Sequence, residues 1–177
     1  KISQEEILVD DLRLAFSEWK LIINANPISF GHSLIIPDKA TNQFLEERDV
    51  YAFVESAAAL MDSYVYYHSL WAGASVNSKH FQVLPVEGLP EDHKMLYSFK
   101  LLAENTNLPQ NHILPLEVAV NVPYETRGYS IRNDNPIILA SQIWSIVRTL
   151  QQNNIPFNFL AQGNQVVITL IGKERPE

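Results

Sequence analysis

Residues 73–82 read Gly-Ala-Ser-Val-Asn-Ser-Lys-His-Phe-Gln, the stretch richest in side chains that can do chemistry. Only 5 histidines occur in 177 residues, and His80 stands here with Gln82 two positions on. An imidazole nitrogen can attack an α-phosphate and form a covalent nucleotidyl-histidine. Backbone N–H groups of a small-residue turn, Gly73 to Ser75, can hold phosphate oxygens as charge grows. Gln82 can donate to a non-bridging oxygen. The second ring nitrogen must meet a hydrogen-bond acceptor, Ser78 or a backbone carbonyl, so that the attacking nitrogen is unprotonated.

These residues must be positioned by a strand. Val76, Phe81, Val83 and Leu84 give residues 71–84 strand character. Alternation then sets Ser78, His80 and Gln82 on one face and Lys79, Phe81 and Val83 on the other, so Lys79 is not assigned to catalysis. Three polar side chains in a row on an apolar strand are costly unless they meet solvent or a ligand. His-x-Gln is nevertheless a weak signal alone, and on spacing alone a satisfied sheet histidine is the better explanation.

Around that strand, residues 18–38 predict an antiparallel hairpin with a wide loop, broken at Asn24-Ala25-Asn26-Pro27 and closed by Gly31. Residues 46–68 predict a helix, with Val50, Phe53, Val54, Ala57, Met61, Tyr64, Val65 and His68 on one apolar stripe. His68 then reads as a partly buried histidine near a helix end. Residues 85–112 look irregular, with a helix expected over Asp92 to Glu104 and His93 and His112 at the surface. A strand is expected over Leu114 to Val122 and a second helix over 136–152, with Pro136 in its first turn. Residues 157–161 and 165–171 predict a hairpin around Gly163-Asn164. The pattern is that of an α+β fold, an antiparallel sheet with flanking helices. It forms a single domain over residues 1–177, with 114–171 as a C-terminal lobe sharing the core.

A hydrophobic content of 46% excludes disorder over most of the length. A net charge of −7 argues against nucleic acid as partner, because no basic excess is available to neutralise a phosphate backbone. With no cysteine, disulfides, thiolate metal sites and cysteine nucleophiles are excluded, and a cytoplasmic location is compatible. No apolar run reaches the roughly 18 residues of a membrane span, so no membrane partner is expected. Neither is a signal peptide recognisable, and Lys1 in place of Met suggests a trimmed product. No set of His and acidic residues has defensible metal-ligand spacing.

The motif "GASVNSKHFQVLP" resembles the active-site strand of the histidine-triad superfamily, in its nucleotidyltransferase branch. That branch includes galactose-1-phosphate uridylyltransferase, diadenosine tetraphosphate phosphorylases and GDP-hexose phosphorylases. Its pattern is Gly-Ala-Ser, then His-x-His-x-Gln. The nucleophile falls on His80 and the glutamine on Gln82, while Ser78 stands where the pattern has its first histidine. "INANPISFGHSLIIP", residues 23–37, resembles the upstream strand pair of the same family. "LQQNNIPFNFLAQGNQVVITL", residues 150–170, more loosely resembles the distal part of its phosphorylases. The resemblance implies catalysis by His80 and Gln82. It implies nucleotide or phosphate binding by Asn24, Asn26, His32, Gly73, Ser75, Asn77 and Ser78, with His32 supporting the site.

The activity so implied is a nucleotidyltransferase or phosphorylase acting on a nucleoside di- or polyphosphate compound or nucleotide sugar. No cofactor is required, although a divalent metal can accompany a polyphosphate substrate. A homodimer is compatible, with acceptor-binding parts either missing from this chain or supplied by a partner subunit. Ser78 motivates a second reading, a nucleotide-binding protein with little or no turnover. A purely structural domain leaves the two separated motifs unexplained.

Overall fold

The computed structural model describes residues 8–39, 41–70, 72, 77–89, 112–116 and 125–171, with backbone alone at 8–9, 112–116 and 125–127. The strands are β1 (Leu8–Leu14), β2 (Ser17–Ile23), β3 (Ser33–Pro37), β4 (Ser63–His68), β5 (Phe81–Pro85), β6 (His112–Leu116), β7 (Glu125–Arg132), β8 (Phe157–Gln162) and β9 (Gln165–Ile171). The helices are α1 (Glu47–Ala59) and α2 (Pro136–Gln152). The strands make one nine-stranded sheet in the order β1-β2-β3-β5-β4-β8-β9-β7-β6, every pairing antiparallel. The α+β architecture with an antiparallel sheet and flanking helices is as the sequence led us to expect.

Local chemistry explains the element ends. Asn135 caps α2, its side-chain oxygen accepting from the N–H of Ile137 at 3.0 Å and Ile138 at 3.3 Å, and Pro136 occupies the first turn. Asp49 accepts from the N–H of Glu46 at 2.6 Å at the start of α1. The β8–β9 hairpin turns at Gly163, whose φ of +58° glycine adopts without a Cβ penalty.

The predicted helix over 46–68 is corrected. Helix α1 stops at Ala59, and residues 63–68 are strand β4 in the middle of the sheet. Tertiary pairing with β5 and β8 overrides the helical period there. His68 therefore ends a strand, not a helix. The motif strand is also shorter than predicted: β5 begins at Phe81, although burial still alternates from Ser78 to Val83. Strand β6 begins at His112, within the stretch read as irregular, and the rest of the strand predicted to Val122 lies outside the described residues. The helix expected over Asp92 to Glu104 and the residue His93 lie outside them as well. Strands β1 and β7 were not predicted.

Both helices pack on one face of the sheet. Val65, Tyr67, Phe81, Val83, Phe157, Phe159, Val166 and Ile168 point to that face and form the main core with Phe53, Val54, Ile143 and Val147 of the helices. On the opposite face Tyr66, Leu84, Leu89, Leu160 and Val167 make a smaller cluster, and among the described residues no helix covers it. Among the described residues no helix is long and apolar enough to cross a membrane.

Phe53 is the aromatic link between helix and sheet. It is fully buried and meets Phe159 edge-on at 4.5 Å and Phe81 at 5.3 Å between ring centroids. Phe53→Ala is expected to lower stability by about 3–5 kcal/mol through the cavity it leaves, read as an earlier urea midpoint at an unchanged slope.

Candidate active site

His80 stands one residue before β5, on the face away from the helices. Its Nδ1 lies 2.8 Å from the backbone oxygen of Ser78. A carbonyl only accepts, so Nδ1 carries a proton, and in the neutral ring Nε2 keeps its lone pair. The acceptor that the chemistry requires is thus main chain. The hydroxyl of Ser78 is not the group that sets the tautomer.

Lys79 points the other way. It is 3% exposed and forms an ion pair with Asp49 of α1, which is itself buried. Its backbone N–H donates to Thr41 O at 3.2 Å. The linker before α1 makes further bonds to the site. Gln43 N–H donates to the side-chain oxygen of Asn77 at 3.2 Å, and Gln43 Nε2 donates to His68 O. The Tyr67 hydroxyl donates to Gln43 O. Burial, with the Asp49 carboxylate adding to it, pushes the Tyr67 phenol far above its ordinary range, so it stays protonated and can donate. Leu45 exchanges two hydrogen bonds with the Gln151 side chain of α2, at 2.8 and 3.0 Å.

Sheet register brings in a residue that the sequence reading set aside. Tyr66 of β4 pairs with Gln82, so continuing the ladder by two residues sets His68 beside His80 on the same face. His68 pairs in turn with Asn158 of β8, and Asn158 with Thr169 of β9. A row of polar side chains, His80, His68, Asn158 and Thr169, thus runs from the approach to β5 across β4, β8 and β9 on the open face. Burial lowers the His68 pKa and His80 lowers it further, against the Ala72 carbonyl, which favours the cation. The clue in the sequence was the run Ser63–His68, whose Tyr64, Tyr66 and His68 alternate with Val65 and Tyr67.

The remaining predicted residues fall in distinct places. Gln82 is half-buried on the open face between Leu34 and Tyr66. Asn77 is held by the Gln43 backbone, as described. Gly73 and Ser75 lie outside the described residues. Asn24, Asn26 and His32 form one cluster in the β2–β3 loop. The Asn24 amide nitrogen is 3.1 Å from His32 Nε2, Asn24 Oδ1 accepts from Asn26 N–H at 3.0 Å, and His32 Nδ1 accepts from Ile28 N–H at 3.1 Å. That loop packs at the far end of β5. Gly31, with φ of +75°, lies so close to Pro85 that a Cβ would come 3.0 Å from its ring. Ser33 pairs with Val83, so His32 is level with residue 84, four positions from His80 and roughly 13 Å along the strand. The loop cluster and the imidazole pair mark opposite ends of β5. Among the described residues no group of three or more His, Asp or Glu side chains could hold a metal ion.

Two changes test this arrangement. Asp49→Asn leaves Lys79 buried without its partner and is expected to destabilise by about 3–5 kcal/mol, whereas the double replacement Asp49→Leu with Lys79→Met is expected to recover most of that loss in urea unfolding. The second concerns pH. Because His68 titrates below 6.5 when folded, the unfolded chain binds more protons between the folded value and 6.5. The stability contributed by its neutral form is present above 6.5 and lost as pH falls through the folded value, and His68→Asn is expected to flatten that acid-side decline in urea midpoints.

Comparison with known proteins follows this geometry. Residues 1–84 match the family model described as the GDPGP1-like N-terminal domain. GDP-L-galactose phosphorylase 2 of Arabidopsis thaliana is 28% identical over 189 residues, covering 90% of this chain and 40% of that protein. GDP-D-glucose phosphorylase 1 of Danio rerio is 28% identical over 171 residues, covering 92% of this chain and 46% of that protein. The chain thus spans less than half the length of these relatives. Among solved structures, yeast Ap4A phosphorylase Apa2 in complex with AMP superposes with a TM-score of 0.58 at 16% identity, covering 90% of this chain and 58% of that one. A DUF4931 family protein of Bacillus cereus gives a TM-score of 0.55 at 12% identity, covering 90% of this chain and 83% of that one. The chain is thus similar to the GDPGP1-like N-terminal domain over residues 1–84 and to GDP-hexose phosphorylases over about nine-tenths of its length, in line with the resemblance to the nucleotidyltransferase branch of the histidine-triad superfamily.

Proposed function

We propose that this chain is the nucleotidyl-transferring part of a nucleotide phosphorylase, with a GDP-hexose as first-choice substrate and His80 as nucleophile. The observation that carries this is the 2.8 Å bond from His80 Nδ1 to Ser78 O, which in the neutral ring puts the lone pair on Nε2, the attacking atom. Two relatives act on GDP-hexoses by name, which favours guanine among the bases.

His80 Nε2 attacks the α-phosphorus, and the bond from that phosphorus to the bridging oxygen breaks. Hexose 1-phosphate leaves and a guanylyl-His80 remains. Inorganic phosphate then attacks the same phosphorus, releasing GDP and restoring His80. Gln82, on the same face, donates to a non-bridging oxygen as charge develops. Asn24, Asn26 and His32 lie a nucleotide's length from His80 and suit the nucleoside end. A divalent ion would arrive with the diphosphate. A second reading, nucleotide binding with little turnover, is favoured by the serine at position 78.

Intact-protein mass spectrometry after mixing with GDP-glucose, UDP-glucose and diadenosine tetraphosphate tests both. A guanylyl mass gain, absent in His80→Ala, is the expected result. Gln82→Ala is expected to slow adduct formation on the order of 10²–10³-fold. Tight nucleotide binding with no adduct from any of the three would select the binding protein instead.

A further inference from the structure

The motif supplies one imidazole, since Ser78 stands two residues before His80, yet the sheet supplies another. We propose that His68 is a substrate-contacting residue of this site, its Nε2–H hydrogen-bonding a non-bridging oxygen of the phosphate that His80 attacks. This rests on the reading of His80 as nucleophile.

Three features of the geometry point to it. First, the last β4–β5 pair, Tyr66 with Gln82, lies two residues from each imidazole on the open face, and His80 is close enough to His68 to act on its charge. Second, Asn158 fixes its tautomer. With the amide nitrogen turned inward, Asn158 reaches His68 Nδ1 at 3.0 Å, Ala72 O at 3.1 Å and Phe157 O at 3.1 Å, and its oxygen accepts from the Tyr66 hydroxyl at 3.2 Å. The reverse orientation turns the oxygen onto the two carbonyls. Nδ1 then accepts from Asn158, and the proton of the neutral ring is on Nε2; unlike Ser78 O at His80, the Ala72 carbonyl 3.1 Å from Nδ1 is met by the same Asn158 amide and takes a bond from the ring only once Nδ1 is protonated. Third, among the described residues Nε2 has no hydrogen-bond partner, so a half-buried donor stands ready beside the nucleophile.

The ring is kept neutral until an anion arrives. Among the described residues the titratable groups facing it are His80, at the approach to β5, and the Tyr66 hydroxyl of its own strand, at 4.3 Å between ring centroids. From β8 it meets Asn158, which does not titrate. None of these stabilises a cation by charge, whereas a bound phosphate would. Binding of a nucleotide is therefore coupled to proton uptake by His68, with Ala72 O, 3.1 Å from Nδ1, accepting the added proton's bond.

The test combines single-turnover adduct formation with GDP-glucose, UDP-glucose and diadenosine tetraphosphate and imidazole-nitrogen NMR of the wild-type chain titrated with GMP, UMP and AMP. His68→Ala is expected to slow adduct formation on the order of 10²-fold. His68→Gln, whose amide nitrogen can stand where Nε2 stood, is expected to recover most of that loss, which a purely structural role would not produce. The His68 nitrogens should shift and their pKa rise when the monophosphate binds. Unchanged rates in both variants, or a bound monophosphate that leaves the His68 signals unmoved, would overturn the proposal. If the wild type forms no adduct but a monophosphate still raises the His68 pKa, the contact stands and His80 catalysis falls. If neither adduct nor binding is seen, both fall.

Discussion

Lys79 carries a positive charge into the interior, and much of the site follows from how that charge is met. A lone ammonium there would be prohibitively costly, so Asp49 of α1 must stand beneath the sheet at the place where the chain enters β5. Neighbouring residues of an extended chain point in opposite directions. Holding Lys79 on the helix face therefore turns His80 to the open face. The residue with the greatest potential chemistry is oriented by its neighbour's electrostatics, and the same bond ties helix α1 to the motif.

The linker before α1 completes that framework. Gln43 is 1% exposed and touches the site three times, through its N–H to Asn77, its side chain to His68 O and its carbonyl to the Tyr67 hydroxyl. Each bond alone is worth on the order of 1 kcal/mol. Their effect is geometric: β4, the approach to β5 and the helix layer share one rigid junction. Gln151 extends it to α2 through Leu45. The His80 ring and the strands beside it are thereby held from both helices, the rigidity that a positioned reacting group requires.

How much of this was legible in the sequence depended on local punctuation. Pro136 and Asn135 announced α2, Gly163-Asn164 announced the last hairpin, and Pro27 and Gly31 framed the β2–β3 loop. Strand β4 was missed because the apolar period of α1 runs on past Leu60 without a glycine or proline to end it. Strand β1 was missed for a related reason: its turn to β2 uses Ala15 and Phe16 at positive φ, where sequence rules look for Gly, Asn or Asp. His80, Gln82 and the direction of Lys79 were readable because alternation is a local property. His68 was not, because its relation to His80 is a cross-strand register that exists only once β4 lies beside β5.

The serine at position 78 illustrates the same distinction at the level of one atom. Matching by side chain makes it a defect, since the family pattern has histidine there. In the folded chain the group of residue 78 that meets the His80 ring is its carbonyl oxygen, which every amino acid possesses. The tautomer of His80 is therefore insensitive to the substitution, provided the backbone from Asn77 to Lys79 keeps its course. Gln43 and Thr41 hold that course from outside the motif, through Asn77 Oδ1 and Lys79 N–H. What the substitution removes is an imidazole, and an imidazole is what β4 presents next to His80. The preservation of the site is then a matter of main-chain position and sheet register, neither of which a motif records.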